Sequence, residues 1–126
     1  MKNRKRVILV SAELKTLPSQ TNEARTKSLE NALKTKGYNF SQVLGSYKGS
    51  LEKSFLIDAS EDILKNVHSL AGYFGQESIL VVDELQKATL IDSNGQKEVI
   101  GEMKQVNSLT GLEGWTLVNG LFFTVK

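Results

Sequence analysis

The amino-acid sequence predicts an α+β fold, a ferredoxin-like βαββαβ sheet with two helices on one face and a C-terminal β-hairpin extension. Three observations carry that expectation. Short apolar runs at Val7 to Val10, Ser54 to Ile57 and Ile79 to Val82 have the length and residue types of buried strands. Two stretches between them repeat apolar residues at helical spacing. Beyond Asp83, Ser93-Asn94-Gly95 and Asn119-Gly120 each separate a pair of short apolar runs, which is the pattern of hairpins.

The first strand is read at 6–12, from the aliphatic run Val7-Ile8-Leu9-Val10. Glu13 to Gln20 is a connection holding the sole proline, Pro18, and Thr21 offers an N-cap to a helix that runs to Lys36 and stops at Gly37. On that helix Ala24, Ser28, Leu29, Ala32 and Leu33 share one face, which suits packing on a sheet. Tyr38 to Tyr47 alternates imperfectly and reads as an edge strand with one wet side; Ser54 to Ile57 reads as a central strand. Ser60 caps a second helix with Glu61 and Asp62 in its first turn, where the macrodipole favours anions. Its apolar face is Ile63, Leu64, Val67, Leu70, Ala71 and Phe74, and Gly75 ends it. Ala88 to Ile91, Glu98 to Ile100, Trp115 to Val118 and Leu121 to Val125 supply the hairpin strands. The 126 residues form a single domain, with a basic arm (1–6), a βαββαβ core (7–83) and a hairpin extension (84–126).

Composition narrows the chemistry. With 40% hydrophobic and 24% charged residues the chain can bury one core. No cysteine is present, so disulfides, thiolate metal sites and a cysteine nucleophile are excluded. The only histidine, His68, falls at the margin of the second helix's apolar stripe, where a hydrogen-bonded boundary residue is expected and not a catalytic base. Carboxylates at Asp58, Glu61, Asp62, Asp83 and Glu84 are explained by helix and strand ends, so no metal and no cofactor is expected. The net charge of +2 is too small to imply nucleic acid or membrane as a partner. Lys2, Arg4, Lys5 and Arg6 read as a solvated arm, with a nucleic-acid contact as the alternative. No apolar run approaches the roughly 18 residues of a membrane span, so a cytoplasmic protein is expected. The central strands lack the paired aromatics of an RNA-binding sheet.

In the split βαβ arrangement three polar junctions, Thr21 to Arg25, Tyr47 to Glu52 and Gly75 to Ser78, meet at one edge of the sheet. Arg25 lies near the centre of the first helix's apolar face, so it needs an acidic partner or a bound anion. Glu52 and Glu77 are the nearest carboxylates by topology. A salt-bridged clamp between Arg25 and Glu52 stands beside a ligand contact as an explanation. The candidate ligand-binding residues are Asn22, Arg25, Tyr47, Lys48, Glu52 and Gln76. Arg25 and Lys48 would supply positive charge, Asn22 and Gln76 directional hydrogen bonds, and Tyr47 a stacking face. The Gly45 to Ser50 turn and the helix start would cradle a phosphate or carboxylate, although no Walker or Gly-x-Gly-x-x-Gly sequence is present.

Asn22 with Arg25, then Gly49-x-x-Glu52-x-Ser54-Phe55, then Phe74-Gly75-Gln76-Glu77-Ser78-Ile79-Leu80 with Asp83, resembles a family of short uncharacterised bacterial and phage domains over residues 7–83. That resemblance implies an intracellular protein whose polar edge matters; the small size, isolated domain and basic start also look like phage accessory proteins. The expected function is a non-enzymatic binding protein, a phage or mobile-element accessory (host-takeover or anti-defence) factor taking a nucleotide-like anion or a host protein. One alternative is a small metal-dependent nuclease or hydrolase using Glu52 or Glu77 near Arg25. Another is a homo-oligomeric assembly protein joined through Trp115, Phe122 and Phe123.

Overall fold

The computed structural model describes residues 5–126. Ten elements follow in order: β1 (Val7–Val10), α1 (Ser19–Thr35), β2 (Phe40–Tyr47), β3 (Ser50–Asp58), α2 (Glu61–Tyr73), β4 (Ser78–Val82), β5 (Lys87–Asp92), β6 (Lys97–Val106), β7 (Gly114–Val118) and β8 (Leu121–Val125). The eight strands close into one antiparallel barrel in the order β1-β3-β2-β7-β8-β6-β5-β4, with β4 returning to β1.

Closure corrects the expected ferredoxin-like sheet. The strands β4-β1-β3-β2 do lie side by side, but neither outer member is an edge: β2 pairs with β7 and β4 pairs with β5. An open four-stranded sheet would leave two rows of unpaired N–H and C=O groups, and the C-terminal hairpins satisfy both rows. The last third is therefore half of the barrel wall and not an extension. The ten-residue β6 makes this geometry work: its first part pairs with β5 and its last part, Met103 to Val106, with β8, the β5 ladder shifting register at Ala88/Thr89. Gly101 sits opposite Ala88 with φ 142°, a conformation few side chains tolerate.

Two helix starts illustrate local coding. Ser60 caps α2 as expected, its hydroxyl accepting from the Ile63 N–H at 3.3 Å. Thr21 does not cap α1; the helix begins at Ser19 with Pro18 as N-cap, because proline's fixed φ already suits a helix entry. Asn119 and Gly120 have φ of 50° and 81°, the paired positive angles that a two-residue hairpin turn needs between β7 and β8.

Both helices lie on the outside of the wall made by β4, β1 and β3, and the apolar core fills the space between. Ile8, Phe55, Ile57, Leu29, Leu33 and Val67 are fully buried there, and the Phe40 ring meets Phe55 edge to face at 5.6 Å. Strand alternation sends the intervening residues, Leu9, Ser54 and Leu80 among them, to the barrel interior. His68 takes the expected boundary position on α2, its Nε2 at 2.7 Å from the Asp92 carbonyl oxygen.

Of the basic arm, residues 1–4 lie outside the described residues. Lys5 stands 4.0 Å from Asp58, and the Arg6 guanidinium donates to Glu61 with Glu84 4.0 Å away. Such exposed pairs each contribute little to stability. Among the described residues no helix is long and apolar enough to cross a membrane.

Candidate active site

The ends of β1 and β2 and the starts of β3, β4 and β7 meet at one end of the barrel, and a cavity of about 1340 Å³ opens there. Pockets for small molecules usually measure roughly 300–1,000 Å³, so the space is ample for one ligand. Leu9, Leu80, Leu90, Met103, Phe123 and Val125 give it apolar walls, and Ser11, Ser54 and Thr116 add hydroxyls. Its ionisable lining is acidic in balance: Glu13, Glu23, Glu52, Glu77 and Glu113 against Lys15, Lys53 and Lys126.

Glu52 is the informative member. It stands on β3 opposite Gly45 of β2, half-buried, and among the described residues no hydrogen bond or ion pair reaches its carboxylate. Burial pushes its pKa above the ordinary carboxylate value, the neighbouring Glu13 charge pushes it further, and Lys15 opposes both. A half-buried carboxylate with no hydrogen-bonded partner takes up a proton more readily than a free one, and its charge is available to a cation brought in from outside.

Glu13 and Lys15 reach this place on the irregular segment that follows β1 and turns at residues 15–17, where the Leu17 N–H donates to the Leu14 carbonyl at 3.0 Å; Ser11 and Leu17 line the cavity with them. Ser11 steers that continuation, its hydroxyl donating to the Lys53 carbonyl at 2.9 Å and accepting from the Glu13 N–H at 3.0 Å. Reading 13–20 as a plain connection overlooks these residues. No local period in the sequence marks them, because the segment that carries them is neither helix nor strand.

The six sequence-predicted residues divide. Asn22, Tyr47, Glu52 and Gln76 line the cavity, whereas Arg25 and Lys48 do not. The amides of Asn22 and Gln76 are spent on backbone: Asn22 bonds to Leu14 and Leu17, and Gln76 Nε2 donates to the Glu13 carbonyl at 2.9 Å. The Tyr47 hydroxyl donates to Glu113 at 3.0 Å, and Lys48 lies over the Tyr47 ring at 5.3 Å. Trp115 and Phe122 form an edge-to-face pair at 5.3 Å, and Trp115 and Phe123 both line the cavity.

The expected clamp between Arg25 and Glu52 does not form. Arg25 Nε donates to the Ala12 carbonyl at 2.7 Å, its Nη2 donates to the Phe74 carbonyl, and the guanidinium lies 5.5 Å from the Phe74 ring centroid. Arg25 thereby ties the exit of β1 and the end of α2 to α1. Arg25→Ala should lower stability by about 2 kcal/mol in urea denaturation, the order expected for charge-assisted hydrogen bonds lost from a part-buried site. A variant as stable as the parent would show that these bonds contribute nothing.

Among the described residues no group of three or more histidine, aspartate or glutamate side chains is arranged to hold a metal ion. The fold and its cavity define a closed antiparallel barrel with an open pocket of mixed polar and apolar lining at one end. The S-adenosylmethionine lyase family model matches residues 8–126, and the chain belongs to that family. No curated protein matches it in sequence.

That membership overturns three expectations. The family is one of enzymes, so the non-enzymatic, anion-binding accessory protein is not what this chain is, and neither an anti-defence role nor an assembly role through the C-terminal hairpins follows from it. Lyase chemistry likewise replaces the nuclease or hydrolase alternative, whose assumed neighbour Arg25 is bound to carbonyls away from Glu52. The resemblance to short uncharacterised domains is corrected in extent as well: the match runs through the C-terminal strands to residue 126.

Proposed function

We propose that the barrel cavity binds S-adenosylmethionine and that the protein breaks a carbon–sulfur bond at its sulfonium centre. The observation that carries this reading is the partner-free carboxylate of Glu52 inside an acidic cavity, in a chain of the S-adenosylmethionine lyase family. A sulfonium is a permanent cation that no proton transfer can neutralise, so it leaves water only where fixed negative charge or aromatic faces receive it. Glu52 supplies that charge, and Tyr47 and Phe123 offer ring faces for the adenine.

In the cleavage step the electron pair of the carbon–sulfur bond moves onto sulfur, which departs as a neutral thioether, while the side-chain carbon it leaves takes a new bond from the substrate's own carboxylate oxygen, closing a lactone with no water or proton consumed. Positive charge at sulfur fades along the way. Glu52 therefore contributes mainly to binding, because its attraction is strongest to the ground-state cation. The apolar walls of Leu9, Leu80, Met103 and Val125 favour the less charged transition state relative to water. A cytoplasmic site of action goes with the same reading, since the chain has no cysteine for the disulfides common in oxidising compartments.

The test is incubation with S-adenosylmethionine in ¹⁸O-labelled water, quenched early and resolved by mass spectrometry. A neutral adenosyl thioether with no ¹⁸O in either product is the expected result. Intact substrate, or label incorporated during bond breaking, would overturn the reading.

A further inference from the structure

Between Val10 and Ser19 the chain has neither helix nor strand, yet its backbone is held at several points by side chains from elsewhere. Asn22 Oδ1 accepts from the Leu14 N–H at 2.9 Å, and its Nδ2 donates to the Leu14 carbonyl at 2.9 Å and the Leu17 carbonyl at 3.4 Å. Gln76 holds the Glu13 carbonyl and Arg25 the Ala12 carbonyl. Asn22 thus uses both ends of its amide on one segment, which leaves little of it for a ligand. The residues delivered by that segment are Glu13 and Lys15, the two charges that act on Glu52.

We propose that Asn22 is a positioning residue: by gripping Leu14 through both its N–H and its carbonyl, it keeps Glu13 and Lys15 beside Glu52 and so sets the charge balance that receives the cation. The role for the cation rests on the proposed function above; the positioning itself does not. The other ionisable groups lining the cavity are Glu23 on α1, Tyr47 on β2, Lys53 on β3, Glu77 before β4, Glu113 before β7 and Lys126 after β8. None of these lies on the segment that Asn22 grips, so a change at Asn22 acts on Glu52 through Glu13, Lys15 and the cover they provide.

The direction of the effect follows. Burial and the Glu13 repulsion both hold the Glu52 pKa up; releasing the segment weakens both and loses only the weaker opposing influence of Lys15. Glu52 should then titrate nearer the ordinary value of 4.5. The experiment is a ¹³C NMR titration of the Glu52 carboxyl in the parent and in Asn22→Ala, paired with kcat/KM for S-adenosylmethionine against pH. The expected result is a lower Glu52 midpoint in the variant, an acid limb moved down by the same amount, and a loss in kcat/KM at neutral pH of roughly tenfold, carried mainly by KM.

An Asn22→Ala protein that is less stable but leaves the Glu52 midpoint unmoved overturns the proposal. If it does not fold, Asn22→Ser replaces it in the same titration, and failure of both to fold assigns Asn22 a purely structural role. Should the parent leave S-adenosylmethionine intact while the midpoint moves, the substrate reading falls and the positioning role stands.

Discussion

Glu52→Gln is expected to lose most of its activity on S-adenosylmethionine and at the same time to become more stable. Removing one charge from a pair formed in a half-buried site costs about 1.4 kcal/mol, so kcat/KM should fall roughly tenfold, principally through KM. The gain in stability comes from the same desolvation. Burial first, and the Glu13 charge second, raise the pKa of Glu52 in the folded protein, with Lys15 opposing. A raised carboxylate favours folding fully only below its unfolded value of 4.5, and that contribution is lost as pH rises through the folded pKa. At neutral pH the ionised side chain therefore works against the fold, and a neutral amide relieves it. Because Glu52 is only half-buried, solvent screens much of this effect, and the thermal midpoint at pH 7 should rise slightly, by about a degree. The gap should close as pH approaches 4.5. In the parent enzyme the acid limb of kcat/KM should lie above that value. A Glu52→Gln enzyme with the parent's KM would sink this account of the site.

Phe55→Ala should have the largest effect on stability, about 4 kcal/mol by urea denaturation, with a thermal midpoint lower by roughly 15 °C. Phe55 is fully buried between the barrel wall and the helices, and its ring is held edge to face by Phe40. Whole-domain stabilities run only about 5–15 kcal/mol, so this one truncation leaves the protein close to unfolding at body temperature. The neighbouring Ser54 points the other way, into the cavity, and Ser54→Ala should change stability by less than about 0.5 kcal/mol. Equal losses at the two positions would mean that the alternation of β3 is misassigned.

Local chemistry was legible in the sequence, and long-range pairing was not. Ser60, Gly75, Asn94-Gly95 and Asn119-Gly120 mark ends and turns because backbone conformation is decided within a few residues. Closure depends on partners such as Leu44 and Leu117, which no local period relates. The imperfect alternation of β2 was itself the clue: Phe40 packs toward the helices while Val43 is buried inside the barrel, so neither face is simply wet. The gathering of Asn22, Tyr47, Glu52 and Gln76 at one end could be argued from strand order, because those junctions share an end whether the sheet is open or closed. Arg25 could not be assigned its partners, since the acceptors are main-chain carbonyls that a survey of side chains does not reveal. The expected supply of positive charge by Arg25 and Lys48 is not met, because neither side chain lines the cavity.

Barrel closure also governs the route by which the chain reaches its native state. The β2 strand must wait for β7, and β6 must join β5 on one side and β8 on the other, before the wall is continuous. Loop-closure entropy for those distant pairings is paid before they return any stability, so folding belongs to the slower range of small domains, milliseconds to seconds. While the last strands are being synthesised, β2 and β4 are both sticky edges, the form in which strands of separate molecules join. Docking of the C-terminal hairpins ends that exposure, and the same event roofs the space in which Glu52 stands, so the candidate site and protection from aggregation arrive together.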